Sequence, residues 1–184
     1  MSDLETVHGW FSFREIYNKI AYDAKSGDTI VELGVWQGKS IIYLAQKLKE
    51  YDKRGIKLFG IDSFLGGNDA PQVYHRLMKG LDRPLREVCE DNIARFGVSD
   101  IVTIIESDSE HAASMFNDSS VDFLFIDTEH TAERLRIELD AWLPKMRRPC
   151  WIAGDDYFHN DMAQALFEKL PQHKEIGGKW IADL

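Results

Sequence analysis

Five acidic residues of this 184-residue chain follow closely on short apolar runs. Asp62 follows Lys57–Ile61, Asp108 lies just beyond Ile101–Ile105, and Asp127 follows Val121–Ile126. Asp155 and Asp156 come just after Trp151–Ala153. A sixth acid, Glu32, sits inside the run Thr29–Leu33, which leads into Gly34-Val35-Trp36-Gln37-Gly38-Lys39-Ser40. Glycine lets a backbone turn tightly and approach a ligand, and the start of a helix offers free N–H groups to an anion. The loop is neither the three-glycine dinucleotide fingerprint nor a phosphate loop with its upstream glycine spacing. An acid ending a second strand is placed to accept both hydroxyls of a ribose, which assigns that role to Asp62. Asp108 is placed either to accept from an adenine amino group or to cap the helix after it. So many carboxylates on one edge would repel one another unless each finds a donor or a cation.

The elements that must position these residues follow from hydrophobic periodicity. The five apolar runs read as buried strands. Ile41, Leu44, Ala45 and Leu48 recur at helical spacing, as do Leu135, Leu139, Trp142 and Leu143 before Pro144, and a further helix spans Ala163–Leu170. Gly177-Gly178 between two short extended runs predicts a terminal hairpin. Strands alternating with helices imply a doubly wound α/β fold: a mostly parallel seven-stranded sheet, helices on both faces, and a C-terminal antiparallel hairpin. In such a sheet ligands sit beyond the carboxyl ends of the strands, where the acids fall. The sequence reads as one domain, residues 1–184, with an N-terminal helical segment at 1–27. An insertion at 63–92, either a lid or a packed surface helix, lies between the second and third strands.

Glu32-Leu-Gly-x-x-x-Gly38, Asp62 and Asp108, in that order and spacing, resemble the nucleoside-binding motifs of class I S-adenosylmethionine-dependent methyltransferases. The resemblance implies S-adenosylmethionine, with Gly34 and Gly38 near its methionine end, Asp62 on the ribose, Asp108 near the adenine, and Glu32 and Ser63 also among the cofactor-binding residues. It also implies that Ser40 reaches the methionine carboxylate, although helix capping explains that hydroxyl equally well. Phe125-Ile-Asp127-Thr-Glu-His130, Trp142-Leu-Pro144 and Ile152-Ala-Gly-Asp155-Asp156-Tyr157 are similar to the metal-dependent O-methyltransferases, nearest to the macrolide-sugar enzymes of the mycinamicin and tylosin type. That likeness implies one Mg²⁺ held by Asp127, Asp155 and Asp156, hard oxygen ligands that suit it. It implies His130 as the base, and the three-residue spacing would set His130 beside Asp127 on a helical turn. Asp127 is the alternative base. Many relatives have Pro-Gly-Gly before the fifth strand, whereas this chain has Arg147-Arg148-Pro149-Cys150, which would alter the turn there.

Composition narrows the partners. A net charge of −9 disfavours nucleic acid, which needs a basic surface. No apolar run approaches the roughly 20 residues of a membrane helix, and Met1–Glu5 does not read as a signal peptide. Cys89 and Cys150 lie far apart, without metal-ligand spacing, and read as free thiols in a cytoplasmic protein. The expected partner is a hydroxylated small molecule such as a sugar, with a homodimer left open. Of Trp10, Phe11 and Phe13, at least two are expected in the core, and the rest at the mouth of the pocket.

Overall fold

A computed structural model describes residues 3–68, 70–158 and 161–184. Met1 and Ser2 of the N-terminal segment and Asp69 of the 63–92 insertion lie outside the described residues. The seven strands are β1 (Thr29–Leu33), β2 (Lys57–Asp62), β3 (Val102–Glu106), β4 (Val121–Ile126), β5 (Met146–Gly154), β6 (Lys174–Ile176) and β7 (Lys179–Asp183). They form one sheet in the order β3-β2-β1-β4-β5-β7-β6. The first five pair in parallel, and the last two add antiparallel. The expected doubly wound architecture and its terminal hairpin are therefore present.

Helices cover both faces. On one side α1 (Arg14–Asp23), α2 (Lys39–Glu50) and α4 (Leu85–Arg95) bury Tyr17, Ile20, Ile41, Leu44, Leu48, Cys89 and Ile93 against the sheet. On the other, α5 (Ser109–Ala112), α6 (Ala132–Trp142) and α7 (Met162–Lys169) bury Leu135, Leu139, Trp142 and Leu166. Two-sided burial explains why β1 and β4 read as continuous apolar runs instead of alternating ones. The remaining helix, α3 (Pro71–Lys79), buries none of its residues. It belongs to the 63–92 insertion together with the start of α4 and stands at the rim of the sheet.

Strand register levels the functional edge. Leu33 pairs with Ile61 on one side and Ile126 on the other, and Ile126 pairs with Gly154. The residues that follow, Gly34, Asp62, Asp127 and Asp155, thus emerge at one height. Cross-strand bonds carry this past the strand ends: Gly34 N–H donates to the Ile61 carbonyl, Asp127 N–H to Leu33, and Asp155 N–H to Ile126. The order of strands reverses between β1 and β4, the switch point where α/β sheets open a crevice.

Two sequence expectations are corrected. Arg147–Cys150 is no turn: it lies inside β5, which begins at Met146, with a register shift opposite Val121 and Phe123. His130 is not on a helix, since residues 127–131 form a loop and α6 starts at Ala132, capped by the Thr131 hydroxyl. Helical spacing needs the chain to be helical already, and no helical ladder runs through 127–130. Cys89 is buried and Cys150 partly so, both as free thiols. Phe13 is core, Phe11 packs on the core while lining the cavity, and Trp10 is 58% exposed.

Candidate active site

One cavity of about 640 Å³ runs along the rim above β1, β2 and β4, from Ser107 and Asp108 past Gly34 and Asp62 to Asp127, His130, Asp155 and Asp156. Its first wall is the β1–α2 loop. Gly34 has φ +84°, and a side chain there would place a Cβ 1.8 Å from the Asp127 carbonyl oxygen. Only glycine permits that contact, so the first loop lies directly on the backbone of the β4 loop. Gly38, also left-handed at φ +88°, caps α2 and faces Cys89.

Asp62 organises this loop. One carboxylate oxygen accepts from the backbone N–H groups of Val35 (2.9 Å) and Trp36 (2.8 Å), the other from Phe64 N–H (2.7 Å). Three of roughly four lone-pair sites are thereby filled, leaving room for about one more conventional bond. Ser63 lines the cavity beside it and accepts from Leu65 N–H at 3.3 Å. Asp108 caps α5 through Glu110 N–H and is also held by the Arg134 guanidinium at 2.5 Å. Arg134 continues to Glu110 and, at 3.2 Å, to the buried Glu138, so α6 is tied to the Asp108 end of the crevice. Arg134 went unnoticed in the sequence, where it reads as one more charge on an amphipathic helix.

Beneath the loop lies Glu32, 0% exposed, with one oxygen bonded to the Ser40 hydroxyl. Ser40 is therefore no helix cap, that place being Gly38. The second Glu32 oxygen and the neighbouring Tyr17 hydroxyl make no hydrogen bond. Burial pushes the Glu32 carboxyl up to about 8, despite the opposing hydrogen bond from the Ser40 hydroxyl. The same burial, with Glu32 nearby, drives the Tyr17 phenol well above its ordinary value.

At the β4–β5 end, Asp127, His130 and Asp156 each offer one ligand atom, and all three lie within 4.8 Å of one another. His130 Nε2 is 2.7 Å from an Asp156 oxygen and 3.6 Å from Asp127. Asp155, which the sequence placed in the metal set, turns beside the cluster. Its oxygens accept from Ser12 Oγ (3.1 Å) and Asp156 N–H (2.9 Å), with Lys179 at 3.9 Å. Asp156 reaches inward because its backbone is left-handed, φ +55°. Burial raises the Asp127 carboxyl to about 6; His130 opposes that shift, and the charges of Asp155 and Asp156 add to it. For His130, burial disfavours the charged ring, yet hydrogen bonds to Asp127 and Asp156 outweigh it and push the imidazole up to about 11. A cationic imidazole lodged between two carboxylates is the arrangement of a site that attracts positive charge. Two hard oxygens and one nitrogen within one ion's reach fit a divalent cation.

A glycine loop pressed on a nucleoside-type crevice, with an acidic cluster at its far end, agrees with the sequence comparisons. A methyltransferase domain family matches residues 31–157. The chain belongs to that family. The solved structure of the O-methyltransferase NovP superposes on this methyltransferase with a TM-score of 0.70 at 19% identity, covering 98% of this chain and 78% of that one. A SAM-dependent O-methyltransferase from Thermotoga maritima gives 0.66 at 16% identity, over 99% of this chain and 71% of the other. Cofactor-bound Rv0187 from MTB gives 0.60 at 16% identity, over 95% and 81%. At such identities these likenesses speak for the shared fold. No curated protein sequence matches the chain. The methyl donor of this methyltransferase is S-adenosylmethionine. No helix among the described residues is long and apolar enough to cross a membrane.

Proposed function

We propose that this methyltransferase is a Mg²⁺-dependent O-methyltransferase acting on a hydroxyl of a small molecule, such as a sugar or a glycosylated metabolite. The observation that carries the reading is the convergence of Asp127, His130 and Asp156 within 4.8 Å, in the same cavity as the glycine loop and Asp62. Asp127 and Asp156 would hold the ion, with Asp155 close behind. When bound, Mg²⁺ supplies a Lewis acid that makes an acceptor hydroxyl easier to deprotonate.

This chain's own residues do the rest. Gly34, Gly38 and the free N–H groups at the start of α2 receive the methionine end of the cofactor, and Asp62 accepts from the ribose. The contact of Gly34 on the Asp127 carbonyl sets the donor loop against the acceptor site, so the two reactants meet in one orientation, which accounts for much of catalysis in a displacement reaction. His130 Nε2 would be the atom placed to take the hydroxyl proton once a bound cation engages Asp127 and Asp156, the two carboxylates that otherwise hold the ring protonated, and Asp127 stands next to it as the second acceptor.

Titration calorimetry with adenosylhomocysteine and Mn²⁺ tests the reading. Adenosylhomocysteine is expected to bind wild type, Asp127→Ala and Asp156→Asn alike, while Mn²⁺ binding is lost in both variants. Undiminished Mn²⁺ binding to Asp156→Asn, or methyl transfer at full rate by both variants in a chelator, would falsify it.

A further inference from the structure

Resting on the proposed reaction, we infer that Glu138, buried behind the cavity wall, is a positioning residue of the methyl transfer: through Thr128 it fixes the loop that brings Asp127 and His130 to the acceptor. Glu138 lies in α6 with 0% exposure and takes no part in lining the cavity. Its carboxylate accepts from the Thr128 hydroxyl, at 2.8 Å to one oxygen and 2.9 Å to the other. It also accepts from the Ser109 hydroxyl and, at 3.2 Å, from Arg134 Nε. Thr128, Ser109 and Arg134 do line the cavity. One hidden carboxylate thus holds three residues of the wall from behind.

Thr128 is the residue through which this hold reaches the chemistry. It directly follows Asp127 and precedes His130 by two, in a loop that no helix or strand supports. Backbone bonds tie the loop at its edges, Asp127 N–H to the Leu33 carbonyl and Thr131 N–H to that of Glu129. The side-chain bond from Asn68 to Glu129 (2.5 Å) is exposed, where water competes for both partners. The Thr128 hydroxyl instead donates to a buried, charged group, which makes the stronger bond.

Stability alone does not explain a carboxylate here. Burial pushes the Glu138 carboxyl up, against the Ser109 hydroxyl, the Arg134 guanidinium and the Thr128 hydroxyl. A well-packed apolar residue often serves a fold as well as a buried ion pair does. Nor is Arg134 short of a counterion, since Asp108 (2.5 Å) and Glu110 both hold it. What Glu138 adds is direction. Ser109, whose carbonyl accepts from Trp142 Nε1 at 2.9 Å, and Arg134 orient the carboxylate, and the carboxylate orients Thr128. Asp127 thereby reaches His130 and Asp156 from an anchored loop, as a displacement sensitive to misplacement by about 1 Å requires.

Amide hydrogen exchange of the whole protein, followed residue by residue by NMR, tests the inference. Thr128→Val removes the hydroxyl and keeps the shape. In this variant the Asp127 and Thr131 amides should exchange about tenfold faster, the worth of one hydrogen bond to a charged group, while amides of α5 and α6 stay within about twofold. Thr128→Ser should restore wild-type exchange. Thr128→Val combined with Glu138→Gln should exchange no faster at 127 and 131 than the faster single variant, because both act on one bond. By calorimetry, Thr128→Val should bind Mn²⁺ about tenfold more weakly and adenosylhomocysteine within about twofold of wild type. The inference is overturned by unchanged exchange at 127 and 131, or by equal acceleration throughout α6, which is a loss of fold and not of position. Failure of serine to restore the loop, additive effects in the double variant, or wild-type Mn²⁺ affinity in Thr128→Val overturn it too. A wild type that binds no Mn²⁺ sinks the metal reading by itself, and the exchange results then decide the role of Glu138.

Discussion

Replacing Glu32 with glutamine isolates the energetic consequence of a buried acid under the cofactor loop. The carboxyl is held at about 8 in the folded protein against an ordinary 4.5, with burial as the main cause. A folded-state value raised above the unfolded one means that the stabilisation is full below 4.5 and is lost as pH rises toward 8. Between those limits the unfolded chain has released its proton and the folded chain has not. Stability should therefore fall by about 1.4 kcal/mol per pH unit on account of this group, or roughly 5 kcal/mol across the gap. Glutamine keeps the shape, still accepts from Ser40, and turns an amide N–H₂ toward the unpartnered Tyr17 hydroxyl. Other raised groups, including Asp127 and His130, titrate equally in both proteins and cancel in the difference. Urea unfolding of cofactor-free wild type and Glu32→Gln at half-unit steps from pH 5 to 8 measures it. The variant should match wild type near pH 5 and exceed it by about 4 kcal/mol at pH 8. Parallel profiles across that range would refute the account of a protonated, desolvated Glu32.

Three further outcomes follow from the same geometry. Gly34→Ala forces a Cβ to within 1.8 Å of the Asp127 carbonyl at φ +84°; the backbone strain alone costs about 1–2 kcal/mol and the clash adds to it. Its melting temperature should therefore drop by at least about 4 °C, with adenosylhomocysteine binding lost at the same time. Arg134→Ala leaves Glu138, 0% exposed, without its guanidinium; a loss of about 3 kcal/mol is expected in urea unfolding, and Lys at 134 should recover less than half because it lacks the fork that also reaches Asp108 and Glu110. Asp156→Asn should lower the methyl-transfer rate at least a hundredfold in a radiolabelled-methyl assay while its melting temperature stays within about 2 °C, since the carboxylate is partly exposed and adds little to the fold.

Much of the architecture was legible because burial on both sides of a parallel sheet writes itself as uninterrupted apolar runs. Thr29–Leu33 and Val121–Ile126 have the bounds read from the sequence. Met146–Cys150 was missed as strand because Arg147, Arg148 and Pro149 are exposed there and carry no apolar signal. The acids at 62, 127, 155 and 156 were legible as a set, since each stands at a strand end. Their division of labour was not.

What the sequence by itself determined is the rim: apolar runs of fixed length deliver particular acids to one edge, and glycines mark where the backbone must turn left-handed. What only the tertiary structure decided is which side chains meet. Asp155 turns to Ser12 and Lys179 while His130 enters the cluster from a loop, and Arg134 joins Asp108 to Glu138 across α5 and α6. Ring contacts among His8, Trp10, Trp36 and Tyr74 likewise join three segments. Local pattern records burial, a property each residue has alone; a site depends on directions and distances between residues far apart in the chain, and these exist only once the sheet has set its register.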